Sequence, residues 1–152
     1  MKKLLLLLII PFLSFGQSWE QTFGNGEDDI KAYSVQQTSD GGYIITGGGG
    51  PYLYLLKIDL NGQEEWSQLL DGWYGRDIDQ TSDGGYILVD LEARLIKTDE
   101  FGQEQWRQDT NLDGAGDNEL FSVNQTNDGG YILGGSGYDT GISYAKPNFQ
   151  IS

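Results

Sequence analysis

Beyond its first residues, the chain shows hydrophobic positions in short runs separated by Gly, Asp and Asn. Residues 33–38 read as a first strand, then Ser39-Asp40-Gly41-Gly42 interrupts, and 43–46 (Tyr-Ile-Ile-Thr) follow as a second. Asp-Gly between two β-rich runs is a strong hairpin signal, because glycine takes positive φ at no steric cost. Residues 47–51 (Gly-Gly-Gly-Gly-Pro) read as a loop, and 52–59 as a third strand rich in Tyr, Leu and Ile. Asn61-Gly62 predicts a second hairpin into 64–70, which carries Trp66. Nothing after the N-terminal run shows a sustained helical period.

This unit recurs. Gln37-Thr38-Ser39-Asp40-Gly41-Gly42-Tyr43-Ile44 returns as Gln80-Thr81-Ser82-Asp83-Gly84-Gly85-Tyr86-Ile87 and as Gln125-Thr126-Asn127-Asp128-Gly129-Gly130-Tyr131-Ile132, with steps of 43 and 45 residues. Between these, the run from Lys57 through Asp59, Gly62 and Trp66 returns from Lys97 through Asp99, Gly102 and Trp106, a step of 40. Trp19, at the head of an expected isolated fourth strand over 19–23, matches Trp66 and Trp106. The second unit follows the first, with a tight connection at 89–94. The third has strands at 121–126 and 131–133, but 141–152 contains Pro147, lacks the Lys-x-Asp turn and the Trp, and reads as an irregular tail. Repeats of about 40 to 45 residues holding four antiparallel strands are blades of a β-propeller. The expected fold is therefore all-β, an incomplete propeller ring over 17–140. An open β-sandwich or a β-solenoid is the alternative, and paired Asp-Gly hairpins favour antiparallel blades over it.

The N-terminus differs in kind. Lys2 and Lys3 precede an apolar run over 4–10, and Ser14-Phe15-Gly16 supplies small residues before polar sequence begins. That layout is a secretory signal peptide over 1–16; the run is too short for a membrane-spanning helix, which needs about 20 apolar residues. The expectation is export, to the medium or the cell surface, with no membrane span left after cleavage.

Composition narrows the chemistry. Cys and His are both 0, which removes disulfides, thiolate nucleophiles, Cys/His zinc sites and histidine bases. The formal charge is −14, and becomes −16 without Lys2 and Lys3. A surface so acidic does not suit nucleic acid, whose phosphates need cations. Glycine, at 23 of 152 residues, is roughly twice its ordinary usage.

The motifs taken together resemble a family of repeat proteins exported by Bacteroidetes-like bacteria. The resemblance rests on Trp19, Phe23-Gly24, Ser34-Val35, residues 37–44 and residues 57–66. It implies a propeller-like secreted or surface protein without assigned chemistry. Members are usually longer and often end in a type IX secretion sorting domain, which this sequence lacks. Few repeats lead us to expect a fragment of a longer propeller or closure by self-association through open sheet edges.

Candidate chemistry is sparse. Asp40, Asp83 and Asp128 resemble the Asp-box turns of sialidase-type propellers, but all repeats are alike here, so their expected work is structural: a carboxylate accepting backbone N–H groups of its own turn. The same holds for Gly41, Gly42, Gly84, Gly85, Gly129 and Gly130, for Tyr43, Tyr86 and Tyr131, and for the three recurring tryptophans. Asp59-Leu60-Asn61-Gly62 reads as a hairpin rather than a calcium loop, since Gly comes one ligand too early. Asp113, Asp117 and Glu119, with the shorter 25–29 loop, are weak calcium candidates; no cofactor is expected. Tyr52, Tyr54, Trp73 and Tyr74 do not recur, which makes them the candidates for contact with an extracellular glycan or protein. A structural or binding module is expected rather than an enzyme. A glycosidase or sialidase-like hydrolase would need a repeat-breaking cluster of acids, Arg and Tyr.

Overall fold

The computed structural model describes residues 18–23, 30–110 and 119–137, together with the backbone of 141–145. The expected signal peptide, the 25–29 loop, Asp113, Asp117 and residues 146–152 lie outside the described residues.

The described residues form three antiparallel sheets and no helix. Sheet 1 contains β1 (Lys31–Gln37), β2 (Tyr43–Gly49), β3 (Tyr52–Ile58) and β4 (Glu64–Asp71), each paired with the next. Sheet 2 repeats this order with β5 (Gly75–Gln80), β6 (Tyr86–Asp90), β7 (Arg94–Thr98) and β8 (Glu104–Asp109). Sheet 3 has three strands, β9 (Glu119–Gln125), β10 (Tyr131–Gly137) and β11 (Gly141–Ala145). None of the sheets closes on itself. No helix among the described residues is long and apolar enough to cross a membrane.

The sheets pack face to face through two apolar seams. Ile44, Leu53 and Leu55 of sheet 1 meet Ile78, Tyr86, Leu88 and Ile96 of sheet 2. The other face of sheet 2, with Ile87, Val89 and Leu95, meets Leu120, Val123, Tyr131 and Leu133 of sheet 3. Each fully buried Ile or Leu contributes roughly 1.5–3 kcal/mol, so these seams do what disulfides would do in a cysteine-rich exported domain.

Three strand expectations need correction. Residues 47–51 are not a loop throughout, because β2 runs on through Gly49. The glycines extend the strand by letting backbone approach: a Cβ on Gly47 would fall 1.9 Å from the Lys31 carbonyl oxygen. Residues 141–145 are not irregular, since β11 pairs with β10 from Leu133↔Ala145 to Gly137↔Gly141. A free sheet edge supplies hydrogen-bond partners that no local motif had to encode. Conversely, 18–23 forms no strand, although Trp19 sits where a strand residue was expected.

Candidate functional site

The repeat motif is consumed by internal bonding. In each Asp-Gly-Gly turn the Thr hydroxyl donates to the Asp carboxylate (Thr38–Asp40, Thr81–Asp83 and Thr126–Asp128, each 2.5 Å). The same carboxylates accept the N–H of Gly42 at 2.9 Å, Gly85 at 3.0 Å and Gly130 at 3.4 Å. Lys57 and Lys97 are buried, and their ammonium groups cross to Asp40 (2.9 Å) and Asp83 (3.0 Å). Bulges in β4 and β8 set Glu65 and Gln105 out of register, and these side chains reach the same lysines.

These contacts hold the Asp40 carboxyl down at about 2, through the Thr38 hydroxyl first and Lys57 second. Burial opposes ionisation of Asp83, but the Thr81 hydroxyl and Lys97 outweigh it and its pKa is lowered. Desolvation works against the charge on Lys57 as well, and Glu65 and Asp40 overcome it, raising its pKa. Asp59 is no metal ligand in this arrangement: its Oδ1 accepts the N–H groups of Asn61 and Gln63, as Asp99 Oδ1 does those of Phe101 and Gln103. Among the described residues no cluster of acids is arranged to hold a metal ion.

The tryptophans and tyrosines bind each sheet to the next. Trp66 of sheet 1 packs against Tyr86 of sheet 2 with ring centroids 5.9 Å apart, and Trp106 of sheet 2 against Tyr131 of sheet 3 at 6.0 Å. Trp19 meets Tyr43 of sheet 1 at 6.1 Å in the same way. The motif glutamines do the polar part. Gln80 Oε1 accepts the Ser39 N–H at 2.8 Å, and Gln125 Oε1 the Ser82 N–H at 2.7 Å. Asp77 links all three sheets, accepting from the Ser34 hydroxyl (2.7 Å) and from the Val123 N–H (2.9 Å). The expected structural role of these residues thus has a specific form, which is holding neighbouring sheets in register.

What the motif leaves over lies at the opposite end, where β1, β5 and β9 begin. There each of these strands carries a β-bulge, between Ala32 and Ser34, between Gly75 and Asp77, and opposite Gly134/Gly135. The unpaired residues are Tyr33, Arg76 and Phe121. They occupy one position of the repeat, since each directly precedes the Ser-Val, Asp-Ile or Ser-Val pair. Bulges re-aim a side chain, and these three converge: the Arg76 guanidinium carbon lies 6.0 Å from the Tyr33 ring centroid and 5.7 Å from that of Phe121. Tyr33 and Phe121 are 47% and 46% exposed. Arg76 has no carboxylate partner among the described residues.

Two of the four sequence candidates join this column. Tyr74 meets Tyr33 edge-on at 5.7 Å, and Trp73, 43% exposed, lies 6.3 Å from Tyr74. Tyr74 holds φ at +23°, a costly conformation for a bulky side chain. Its carbonyl accepts the Leu91 N–H at 3.1 Å, which helps to keep it there. Tyr52 is exposed at the same end, where a Cβ on Gly48 would fall 2.5 Å from its carbonyl oxygen and 3.0 Å from Tyr74 Cα. Tyr54 does not join: it is half-buried on a cavity of about 240 Å³ shared with Gln21, Phe23 and Leu56. Glu119, the described member of the calcium candidates, is exposed at the start of β9.

Sequence reading missed Tyr33, Arg76 and Phe121 because they differ in chemistry. What gathers them is strand pairing: each sits on the bulge near the start of its strand, at a repeat position that is aromatic, cationic and aromatic in turn. No protein-family profile matches this chain, and no curated protein matches it.

Proposed function

We propose that this protein is an exported binding module built of propeller-type blades, and that it holds a glycan on the column formed by Tyr33, Trp73, Tyr74, Arg76 and Phe121. One observation carries the reading. Each sheet bulges at the same repeat position, and the three residues placed there, Tyr33, Arg76 and Phe121, gather into one column, whereas the recurring Asp, Gly, Tyr and Trp residues are spent on internal contacts. The chemistry suits a sugar. Aromatic faces pack on the C–H faces of pyranose rings, and a guanidinium with five donors and no carboxylate partner among the described residues suits hydroxyl or carboxylate oxygens.

The test is calorimetric titration of the full chain with neutral and uronate-bearing oligosaccharides, followed by Tyr33→Ala and Arg76→Ala. Phe101→Ala serves as the control, being 59% exposed in the 99–102 turn and outside the column. Binding weakened tenfold or more by each column variant, about 1.4 kcal/mol, and unchanged in the control is the expected outcome. Affinity for neither class, or equal affinity in all variants, overturns the reading.

A further inference from the structure

The two outer faces of the three-sheet stack are copies of the seams inside it. Val35 occupies the repeat position of Ile78 and Val123, which are 2% and 0% exposed, yet Val35 is 64% exposed. Ile132 occupies the position of Ile44 and Ile87, both 0% exposed, yet Ile132 is 46% exposed. Inside the stack these positions belong to one another: Ile44 shares a cluster with Ile78, and Ile87 with Val123. A face bearing Ile132 is therefore built to receive a face bearing Val35.

The polar positions match too. Gln36 Oε1 and Asp79 Oδ2 accept the N–H groups of Gln80 and Gln125 in the next sheet, at 3.0 and 2.8 Å. Asn124 is their counterpart on sheet 3, and Gln37 is the counterpart of the donors on sheet 1. Residues 18–23 complete the picture. Trp19-x-Gln21 repeats Trp66-x-Gln68 and Trp106-x-Gln108, and Trp19 covers Tyr43 and Gly62 as Trp66 covers Tyr86 and Gly102. Trp19 thus holds the place of a fourth-strand tryptophan from a preceding sheet, while 18–23 itself pairs with no described strand and sheet 3 shows three strands.

We propose that two copies of this chain associate head to tail, the Ile132 face of each on the Val35 face of the other, with residues 18–23 of each copy laid along β11 of its partner as the fourth strand of sheet 3. Two copies bring six of the described sheets, within the roughly four to eight that close a propeller; the three described in one copy fall short, and nine exceed it. A heterologous contact of this kind closes a ring when its rotation allows. The inference rests on the propeller reading but not on the glycan.

The test uses the full chain, expressed for export so that the host processes any leader, and sedimentation equilibrium at micromolar concentration. Wild type is expected at twice the chain mass. Val35→Lys alone and Ile132→Glu alone each place a charge in both contacts and are expected to sediment as monomers. Their equimolar mixture restores one native contact and sets the two introduced charges, opposite in sign, against each other in the second, so it is expected to recover the dimer. Both positions are exposed in the single chain, so neither change should prevent folding, and the recovery itself demonstrates folded variants. A wild-type monomer, a mass other than the dimer, variants that remain dimeric, or a mixture that stays monomeric each overturns the inference. A monomer that still binds oligosaccharide through Arg76 leaves the binding reading in place; a dimer that binds none has the opposite meaning.

Discussion

The middle sheet and its two flanking sheets are written in nearly the same residues but live in different surroundings. Strand β6 is buried at every residue, whereas its counterparts β2 and β10 carry half-buried or exposed positions. The local sequence hardly differs: Tyr-Ile-Ile, Tyr-Ile-Leu and Tyr-Ile-Leu. What differs is the number of neighbours, two for sheet 2 and one for the others. In a stack of repeats, burial is a property of the seam rather than of the strand. A residue's weight in folding should then follow its position in the stack, even where its identity is constant.

The largest effect that breaks this expectation or upholds it comes from the Ile87 and Ile132 pair. Ile87→Ala removes a fully buried side chain and is expected to cost about 3 kcal/mol. Ile132→Ala, at the same repeat position, is expected to cost below about 1 kcal/mol. Urea unfolding, at concentrations low enough to separate chains, reads both. Equal penalties would mean that Ile132 is covered within the single chain and that the flanking sheet is not an open end.

This dependence on neighbours also explains what the sequence discloses and what it withholds. The hairpins are legible because Asp40-Gly41-Gly42 and Asn61-Gly62 specify their turns locally: the Asp side chain bonds its own turn, and Gly41 and Gly62 hold φ at +87° and +79°. The pairing of Trp66 with Tyr86 is foreseeable in kind, since residues that recur once per repeat pack between repeats. Strand β11 is not legible, because its reason for existing is the free edge of β10. The region 18–23 fails in the opposite sense: it carries strand-like residues, but a strand needs a partner and none of the described strands pairs with it. The column of Tyr33, Arg76 and Phe121 is hidden from a search for like residues, because Arg76 breaks the aromatic pattern and the bulges that gather the three arise from strand pairing.

A middle-sized effect separates the two tryptophan contacts. Gly62 and Gly102 both hold positive φ, so an alanine at either costs about 1 kcal/mol for the backbone alone. A Cβ would fall 2.6 Å from a ring carbon of Trp19 at Gly62, and 2.6 Å from one of Trp66 at Gly102. The distances are alike but the tryptophans are not equally held. Trp66 is fixed in β4 and packed on the sheet 1–sheet 2 seam, whereas Trp19 belongs to a segment with no ladder. Gly102→Ala is expected to cost about 2 kcal/mol and Gly62→Ala about 1 kcal/mol, read from thermal unfolding midpoints. A reversal would show that 18–23 is pinned as firmly as a strand.

The smallest effect distinguishes the two lysine clamps, and it appears only in acid. Lys57 bonds two carboxylates, Asp40 at 2.9 Å and Glu65 at 2.6 Å, whereas Lys97 has one carboxylate, Asp83, and the neutral Gln105. Asp40 titrates at about 2 in the folded protein against an ordinary value of 3.8. A carboxyl lowered in this way binds its proton more readily in the unfolded chain. Its contribution is therefore complete above about pH 4 and is lost as the pH falls toward about 2. Asp83 acts in the same direction. Asp90 acts in the opposite one: burial raises its pKa, so it favours folding least once it is ionised. The Asp40 side chain is 56% exposed, and water screens such pairs to about 1 kcal/mol or less. Asp40→Asn is thus expected to lower the unfolding midpoint at about pH 7 by the equivalent of about 1 kcal/mol or less, and to flatten its decline between about pH 4 and pH 2 so that variant and wild type converge in acid. Asp83→Asn should flatten it less, because the Lys97 clamp holds fewer charges. If the two variants flatten the acid limb equally, Glu65 adds nothing to its clamp, and the bulge that brings it to Lys57 serves the geometry of β4 alone.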